Sequence, residues 1–515
     1  MSPFARPFIR GGLMNILFIF SDSHNAAYTG CYGHALAETP ALDRLAAAGT
    51  RFEHAYCNHP LCVPARASLF TGRYSHELGT WDNAFPWTGH APAWPHAYKD
   101  AGVHLASIGK LDFQPDADHG LAEEILPKYR RSLDIHGLFR HEPRLPPRWQ
   151  MHQDARAAGP REGLTEEKFD DYKMAQRAVE WLQRDRPLDR PWLLNVNFTM
   201  PHPSWPCPPE LWKKWDARVK LDHLGAEFHE RFERLHPYHR SFAHHSCGRY
   251  ADIELIRRNL AAYLAHLEIM DRNVGRVLDG LAAAGLAEET LVLYASDHGE
   301  NCGAHRIWSK MNLYQESIRV PLLASGPGVR EGCVEHSPVS LLDVFPTCAE
   351  AQGVARPAGA RGISLWGQLR GDAGAARNRF VYTEFHGNGM PGAACAVTDG
   401  RVKYVACSNA RPMLFEISYD AHEMRDLAAD LPDAPHTKEL LAQGQAWLKE
   451  ALGGETPESI DARAKRDQAA LRKRMEADGT LAAEIFKRGY ERRADKLVPR
   501  PEFVPAGQKP YGEPL

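Results

Sequence analysis

At 515 residues the chain is too long for one small core and implies two domains, or one large domain with an appendage. Hydrophobic residues make up 43% and charged residues 25%, the balance of an ordinary globular protein. A net charge of −3 argues against nucleic-acid or membrane-surface binding, and no apolar run approaches the length of a bilayer span.

Residues before Met14 read as an extension, with Met14 as an alternative start. Residues 16–20 are uniformly apolar, as in a central strand, and no small-residue cleavage site follows them. Thr39 and Pro40 open a helix that Gly49 is expected to stop. Pro64 suits a first helical turn and Gly72 a helix end, which places Cys62 at a helix N-terminus. Free N–H groups and the helix dipole favour an anion there, and Arg66 adds a planar cation one turn further on.

Short apolar runs recur at residues 104–108, 192–198, 291–295 and 320–324, with helical patterns over 169–184, 252–284 and 339–351. This alternation implies an α/β fold, a large and mainly parallel sheet flanked by helices. Beyond about residue 375 the pattern changes to short strands at 380–384, 394–398, 402–407 and 413–417. They predict a smaller antiparallel sheet, with a helix over 437–452 packed on it. From Glu455 the chain is charged and periodic, then Pro-rich from Val498, which reads as a surface helix and an extended tail. The ten cysteines have no regular spacing, so a reduced, cytoplasmic protein without a disulfide framework is the expectation. The 26 histidines are expected mostly on the surface or in loops.

Functional groups in open α/β sheets gather at the carboxyl ends of strands. Asp22 follows the first strand, and Asp297-His298 follows the run ending at Ser296 in the same manner. Two such carboxylates make a divalent metal site, and hard oxygen ligands suit calcium or magnesium. Cys62, an anion-holding helix end and the Arg66 guanidinium together suggest a site for an oxyanion ester.

The run from Cys62 through Pro64 and Arg66 to Gly72 resembles the sulfatase signature. Ser21-Asp22-Ser23, Gly109-Lys110-Leu111-Asp112, Pro201-His202-Pro203, the run from Ser296 to Glu300, and Trp308-Ser309-Lys310 resemble that family's other segments in order and character. The likeness extends from Asn15 to about Ile417. It implies an alkaline-phosphatase-like fold, with a sulfatase catalytic domain over 1–375, an antiparallel-sheet subdomain over 376–455, and a charged helix and tail over 456–515. It also implies that a maturase oxidises Cys62 to formylglycine, whose hydrate is the nucleophile. Asp22, Asp297, His298 and the modified Cys62 would hold the metal, calcium with magnesium as the alternative. Arg66 and Lys110 would stabilise the hydrate and the sulfuryl oxygens, and His202 and Lys310 would bind sulfate and protonate the leaving alcohol. Two departures stand out: Ser23 where many sulfatases carry a second Asp, and Asp112 where many carry a His.

Within the family the chain resembles the arylsulfatase K, or glucuronate-2-sulfatase, type. The run from Glu384 to Gly387, Ala304-His305-Arg306 and Cys247-Gly248-Arg249 add to that likeness. The implied substrate is a small-molecule or oligosaccharide sulfate ester, a sulfated sugar acid above all, with aryl sulfates also accepted. Candidate substrate contacts are Asn83, Asp112, His236, His305, Glu384 and His386, beside Lys110, His202 and Lys310. Two alternatives remain open on the sequence. One is a phosphonate monoester or phosphodiester hydrolase on the same scaffold. The other is a non-catalytic binding protein in which Cys62 stays a thiol.

Overall fold

The computed structural model describes residues 14–131, 133–139, 145–372, 379–388, 390–493 and 496–511. Eight strands form the main sheet: β1 (Asn15–Ser21), β2 (Gly49–Phe52), β3 (His104–Lys110), β4 (Glu123–Lys128), β5 (Trp192–Asn197), β6 (Thr290–Ser296), β7 (Leu322–Ser325) and β8 (Cys333–Glu335). Their order across the sheet is β8-β2-β7-β6-β1-β5-β3-β4. β7 pairs antiparallel with β2 and β6, and the remaining pairings are parallel.

The uniformly apolar β1 follows from burial on both faces of the sheet. Ile16, Phe18 and Phe20 enter one core, whereas Leu17 and Ile19 enter the other. Five helices cover the sheet: α1 (Pro40–Ala47), α2 (Cys62–Thr71), α3 (Asp170–Glu180), α4 (Ile253–Ala283) and α5 (Val344–Ala351). The apolar sides of α1, α3 and α4 pack with Leu17 and Ile19, and those of α2 and α5 with Phe18.

Gly49 does not stop α1, which ends against Ala48. Gly49 opens β2 instead, where a Cβ would stand 2.0 Å from the Ala324 carbonyl oxygen on β7. A close strand approach, rather than a left-handed turn, requires glycine at that position. Gly72 does close α2 in the left-handed region, at φ 72°.

The smaller antiparallel sheet comprises β9 (Val381–Phe385), β10 (Ala394–Thr398), β11 (Lys403–Cys407) and β12 (Ala410–Phe415), in that order. Tyr382, Val397 and Leu414 on one face meet α6 (Pro435–Leu452) and α7 (Pro457–Ala477). Ala396, Val405 and Met413 on the other face join the core of the main sheet.

The segment beyond residue 455 differs from the surface helix and extended tail expected of it. After α7 come α8 (Thr480–Lys487) and a hairpin, Tyr490–Arg493 with Lys496–Pro499. Leu471, Met475, Leu481, Ile485 and Tyr490 form a buried cluster with Ile135, Leu138 and Phe139. Its apolar residues are widely spaced among charges, so the buried stripe is narrow and easily read as surface.

More than half of the 26 histidines are buried, against the expectation of surface positions. Several are held there by a hydrogen bond from one ring nitrogen to a carboxylate or backbone carbonyl. All ten cysteines are free, and no described helix is long and apolar enough to cross a membrane.

Phe18 is fully buried between Phe20 and Phe345, with ring centroids 5.1 and 6.4 Å away. Phe18→Ala is expected to destabilise the fold by about 3–5 kcal/mol through lost transfer energy and the cavity left behind. A lowered melting temperature checks this; an unchanged one would show that the sheet centre repacks.

Candidate active site

Parallel pairing puts the carboxyl ends of β1, β3, β5 and β6 on one edge of the sheet. Ser21 is in register with Ser296, so Asp22 and Asp297 emerge side by side. Gly109 is in register with Asn197, which brings Lys110 to the same edge. The N-terminus of α2 delivers Cys62 there as well, with its Sγ 3.3 Å from His298 Nε2 and 3.9 Å from Asp22 Oδ1.

Arg66 lies under this group, buried. Its Nη2 donates to Asp22 Oδ2 at 3.2 Å, its Nε to Asp297 Oδ2 at 3.1 Å, and its Nη1 to the Lys110 carbonyl at 2.7 Å and to Asn197 Oδ1 at 3.4 Å. The guanidinium is thus occupied in holding the two carboxylates apart and in place, a use that needs its rigid planar fork. Lys110 Nζ lies 2.5 Å from Asp22 Oδ2 and 3.2 Å from Asp112 Oδ2. Lys310 Nζ donates to Ser23 Oγ at 3.3 Å, and that hydroxyl donates to Asp22 Oδ1 at 3.0 Å.

The electrostatics follow from burial. Burial raises the Asp22 carboxyl, yet Lys110, His202, His298 and Lys310 outweigh it and hold it well below the usual range. Burial and the neighbouring Asp22 push Asp297 the other way, up to about 7. Two adjacent carboxylates split in this manner because both cannot ionise freely in a dry site. Burial and Asp22 also raise the Cys62 thiol, but Lys110, Lys310 and His298 prevail and lower it well below its ordinary value. His202 is lowered by burial and by Lys310. Its Nδ1–H donates to the Pro203 carbonyl at 2.5 Å, which assigns Nε2 to the reacting side.

Asp22, Cys62, Asp297 and His298 each offer a ligand atom, and these atoms lie within 4.8 Å of one another. His298 Nδ1–H donates to the Gly299 carbonyl at 3.0 Å, so Nε2 carries the lone pair toward the group. Two carboxylates and an imidazole fit a divalent cation. The Cys62 sulfur stands where an oxygen of an oxidised Cys62 would complete the set.

A cavity of about 210 Å³ opens beside this cluster, with Leu61, Asn83, His202, Trp308 and Lys310 in its walls. Asn83 Oδ1 accepts from the Val63 N–H at 3.2 Å, which ties the cavity wall to the first turn of α2.

The family model described as "Sulfatase" matches residues 14–354 of the chain. The chain belongs to the sulfatase family. A second model, "N-sulphoglucosamine sulphohydrolase, C-terminal", matches residues 303–450. The sulfatase is 28% identical to arylsulfatase K of Bos taurus over 444 residues, 81% of this chain and 79% of the relative. It is 31% identical to choline-sulfatase of Rhizobium meliloti (strain 1021) over 437 residues, 81% of this chain and 83% of the relative. Among solved structures, BT4656 in complex with its substrate D-glucosamine-2-N,6-O-disulfate superposes with a TM-score of 0.67 and 22% identity, over 87% of this chain and 99% of that one. A phosphonate monoester hydrolase from Silicibacter pomeroyi also gives 0.67, at 21% identity, over 87% and 96%. The structural likenesses bear on the fold, and the sequence relatives mark this sulfatase as a sulfuric ester hydrolase.

Of the residues singled out in the sequence, Asp22, Cys62, Arg66, Lys110, Asp112, His202, Asp297, His298 and Lys310 converge, and Asn83 joins the cavity wall. Four others do not line the cavity. His236 caps the helix Pro237–His245, its Nδ1 accepting from the Tyr238 N–H at 3.2 Å. His305 is buried between Glu230 and Glu316, at 2.6 and 3.5 Å, and stacks on Tyr314 with centroids 3.8 Å apart. Glu384 Oε2 lies 2.7 Å from both His76 Nδ1 and His386 Nε2, and the Tyr382 hydroxyl donates to it at 2.8 Å. His386 is thereby turned into this buried hub. Residues unremarked in the sequence take the vacated places: Asn197 beneath Arg66, and Arg130, Asp134, Arg148, Asp154 and Arg488 on the cavity wall. Asn195 and Asn197 interrupt an otherwise apolar strand, which was the readable signal for the first.

Removing the Arg66 guanidinium leaves two buried carboxylates facing each other. Arg66→Met is expected to cost about 3–5 kcal/mol of stability, with little rescue by Arg66→Lys because one ammonium cannot span both acids. Thermal unfolding of the two variants checks this, and full rescue by lysine would refute the fork argument. His305 gives a second prediction. Burial lowers it, but Glu316 and Glu230 prevail and raise it from 6.5 to about 10. A raised folded pKa contributes stability that is complete below about pH 6.5 and fades as pH climbs through about 10. The melting temperature of the wild type should therefore fall over that window relative to His305→Gln. Parallel curves would show that His305 is neutral in the fold.

Proposed function

We propose that this sulfatase desulfates a sugar carrying an acidic group, such as a 2-sulfo uronic acid, and that it also accepts aryl sulfates. In this reading a maturase converts Cys62 to formylglycine, and a calcium ion, with magnesium as the alternative, is held by Asp22, Asp297, His298 and residue 62. The observation that supports it is the meeting of Cys62 with two carboxylates and His298, beside a cavity walled by His202 and Lys310. The ten free cysteines support a reducing compartment, the cytoplasm.

Oxidised Cys62 would supply a hydrated aldehyde with one hydroxyl for attack and a second for release of sulfate. The ion would draw charge from the sulfuryl oxygens and keep that hydrate in place. The chain's own groups do the rest. Arg66, Lys110 and Lys310 formally balance Asp22, Asp112 and Asp297, so a divalent cation makes the site positive and attractive to a sulfate monoester. Lys310 and Lys110 then face charge that grows on the non-bridging oxygens. His202 presents Nε2 toward the leaving oxygen, and an arriving sulfate opposes the lowering imposed by burial and Lys310, so the imidazole can carry a proton to the alkoxide. Asp112, paired with Lys110, is the group placed to receive a proton when sulfate departs.

Expression with a maturase and peptide mass analysis should show residue 62 lighter, its CH2–SH group having become CHO through loss of sulfur and gain of oxygen. His202→Gln and Lys310→Ala are expected to lower kcat about 10²–10³-fold. A chelator should abolish turnover, and calcium should restore it. A sulfate ester should be turned over faster than a phosphonate monoester of the same alcohol. The reverse ranking would favour the phosphonate hydrolase, and an intact thiol in fully active protein would exclude the proposed nucleophile.

A further inference from the structure

Tyr382, Glu384 and His386 alternate along β9 and the residue after it, so their side chains share one face of the strand. Thr383 and Phe385 belong to the other face. The Thr383 hydroxyl donates to the Cys57 carbonyl at 2.7 Å, and Phe385 joins the main core. The short helix Ser75–Leu78 brings His76 up against the first face. All four side chains are buried, and His76, Glu384 and His386 each offer an atom within 4.8 Å of the others. This group is separate from the one that contains Cys62.

Three donors crowd one oxygen here. Glu384 Oε2 lies 2.7 Å from His76 Nδ1, 2.7 Å from His386 Nε2 and 2.8 Å from the Tyr382 hydroxyl, whereas Oε1 accepts from the His76 N–H at 3.1 Å. A carboxylate oxygen has two in-plane lone pairs, so three protons cannot all be well received there. A cation among the four atoms removes the conflict, because their lone pairs then converge on it instead. Two imidazoles with a carboxylate and a phenol oxygen make a closed four-coordinate set of the kind that suits zinc. Calcium and magnesium ask for more oxygens than these.

The surrounding layer fits the same reading. His76 Nε2 faces Glu455 Oε1 at 4.0 Å, and a carboxylate beyond a ligating imidazole is a common outer partner in metal sites. Arg463 of α7 holds Glu455 at 2.8 Å and donates to the His76 carbonyl at 3.0 Å. Cys395 Sγ lies 3.2 Å from the Tyr382 hydroxyl.

We propose that His76, Tyr382, Glu384 and His386 form a structural zinc site, distinct from the site around residue 62. Burial lowers His76, but Glu384 prevails and raises it, so the metal-free hub sets an imidazolium against the carboxylate. Zinc then displaces one proton from His76 and one from the Tyr382 phenol, and the buried charge is unchanged. The Cys395 thiol is placed to donate to the phenolate. The ion would join the segment after α2 to β9, with α7 reached through Arg463. The site stands independently of the substrate proposed above.

The test uses the full chain, matured and calcium-loaded, dialysed against micromolar zinc and freed of excess by gel filtration. Elemental mass spectrometry should find about one zinc ion per chain beside the calcium. X-ray absorption at the zinc edge should show nitrogen and oxygen neighbours at about 2.0–2.1 Å, and no sulfur at about 2.3 Å. Cys62→Ser should keep the zinc, whereas Glu384→Gln and His386→Gln should lose it at least about tenfold. A nitrogen-donor chelator, with calcium kept in excess, should lower the melting temperature of the wild type and leave that of Glu384→Gln unmoved. A zinc-free wild type, a sulfur neighbour, or zinc that persists in both hub variants would overturn the site and leave a hydrogen-bonded ion pair. Should those variants fail to fold, the zinc content and absorption spectrum of the wild type decide the matter.

Discussion

Asp22 and Asp297 sit on adjacent parallel strands, fully buried, because the register of β1 with β6 leaves them no other place. Two carboxylates brought together out of water repel strongly, and the fold would not tolerate them bare. Arg66 resolves the conflict from below with one guanidinium, touching both acids and the Lys110 carbonyl. That single residue, which also donates to Asn197, ties α2 to four strand ends and holds the helix of Cys62 against the acids. The same contact explains why a functional site can be built in a dry interior. The acids are oriented by fixed donors, Arg66 on one side and Ser23 on the other, so their positions are set before any ligand arrives.

The parallel sheet was legible because its strands are short, uniformly apolar and separated by helical patterns. The convergence of Asp22, Lys110, Asp297 and His298 was legible because they follow or end strands on one edge, where the α/β topology must collect them. The direction of β7 was not legible: a four-residue apolar run reads identically either way along the chain. The packing of the C-terminal segment was missed for a related reason. Its apolar residues face a partner surface around Ile135 that lies more than 300 residues away, and local periodicity carries no trace of such a partner.

His305, Glu384 and His386 show where motif likeness stops being informative. Each sits in a segment that reads as substrate-binding, yet each is held by a carboxylate or imidazole in the interior. His305 meets Glu230, and Glu384 meets His76. Leaving any of these ionisable groups unpaired in the interior would destabilise the fold heavily, so burial demands the partner first. A polar residue in a loop becomes available to substrate only when no such partner competes for it.

The two departures from the family pattern, Ser23 and Asp112, are coupled through charge. A carboxylate at position 23 would add a negative charge beside Asp22, whereas the Ser23 hydroxyl only relays Lys310 to Asp22 through two hydrogen bonds. Asp112 restores the missing charge two strands across the sheet, at 3.2 Å from Lys110. The formal charge of the site is therefore conserved but redistributed from the cation's side toward Lys110. A cation held among these groups would face one carboxylate fewer, so less of its charge would be cancelled. Lys110 is thereby held between two carboxylates, Asp22 and Asp112.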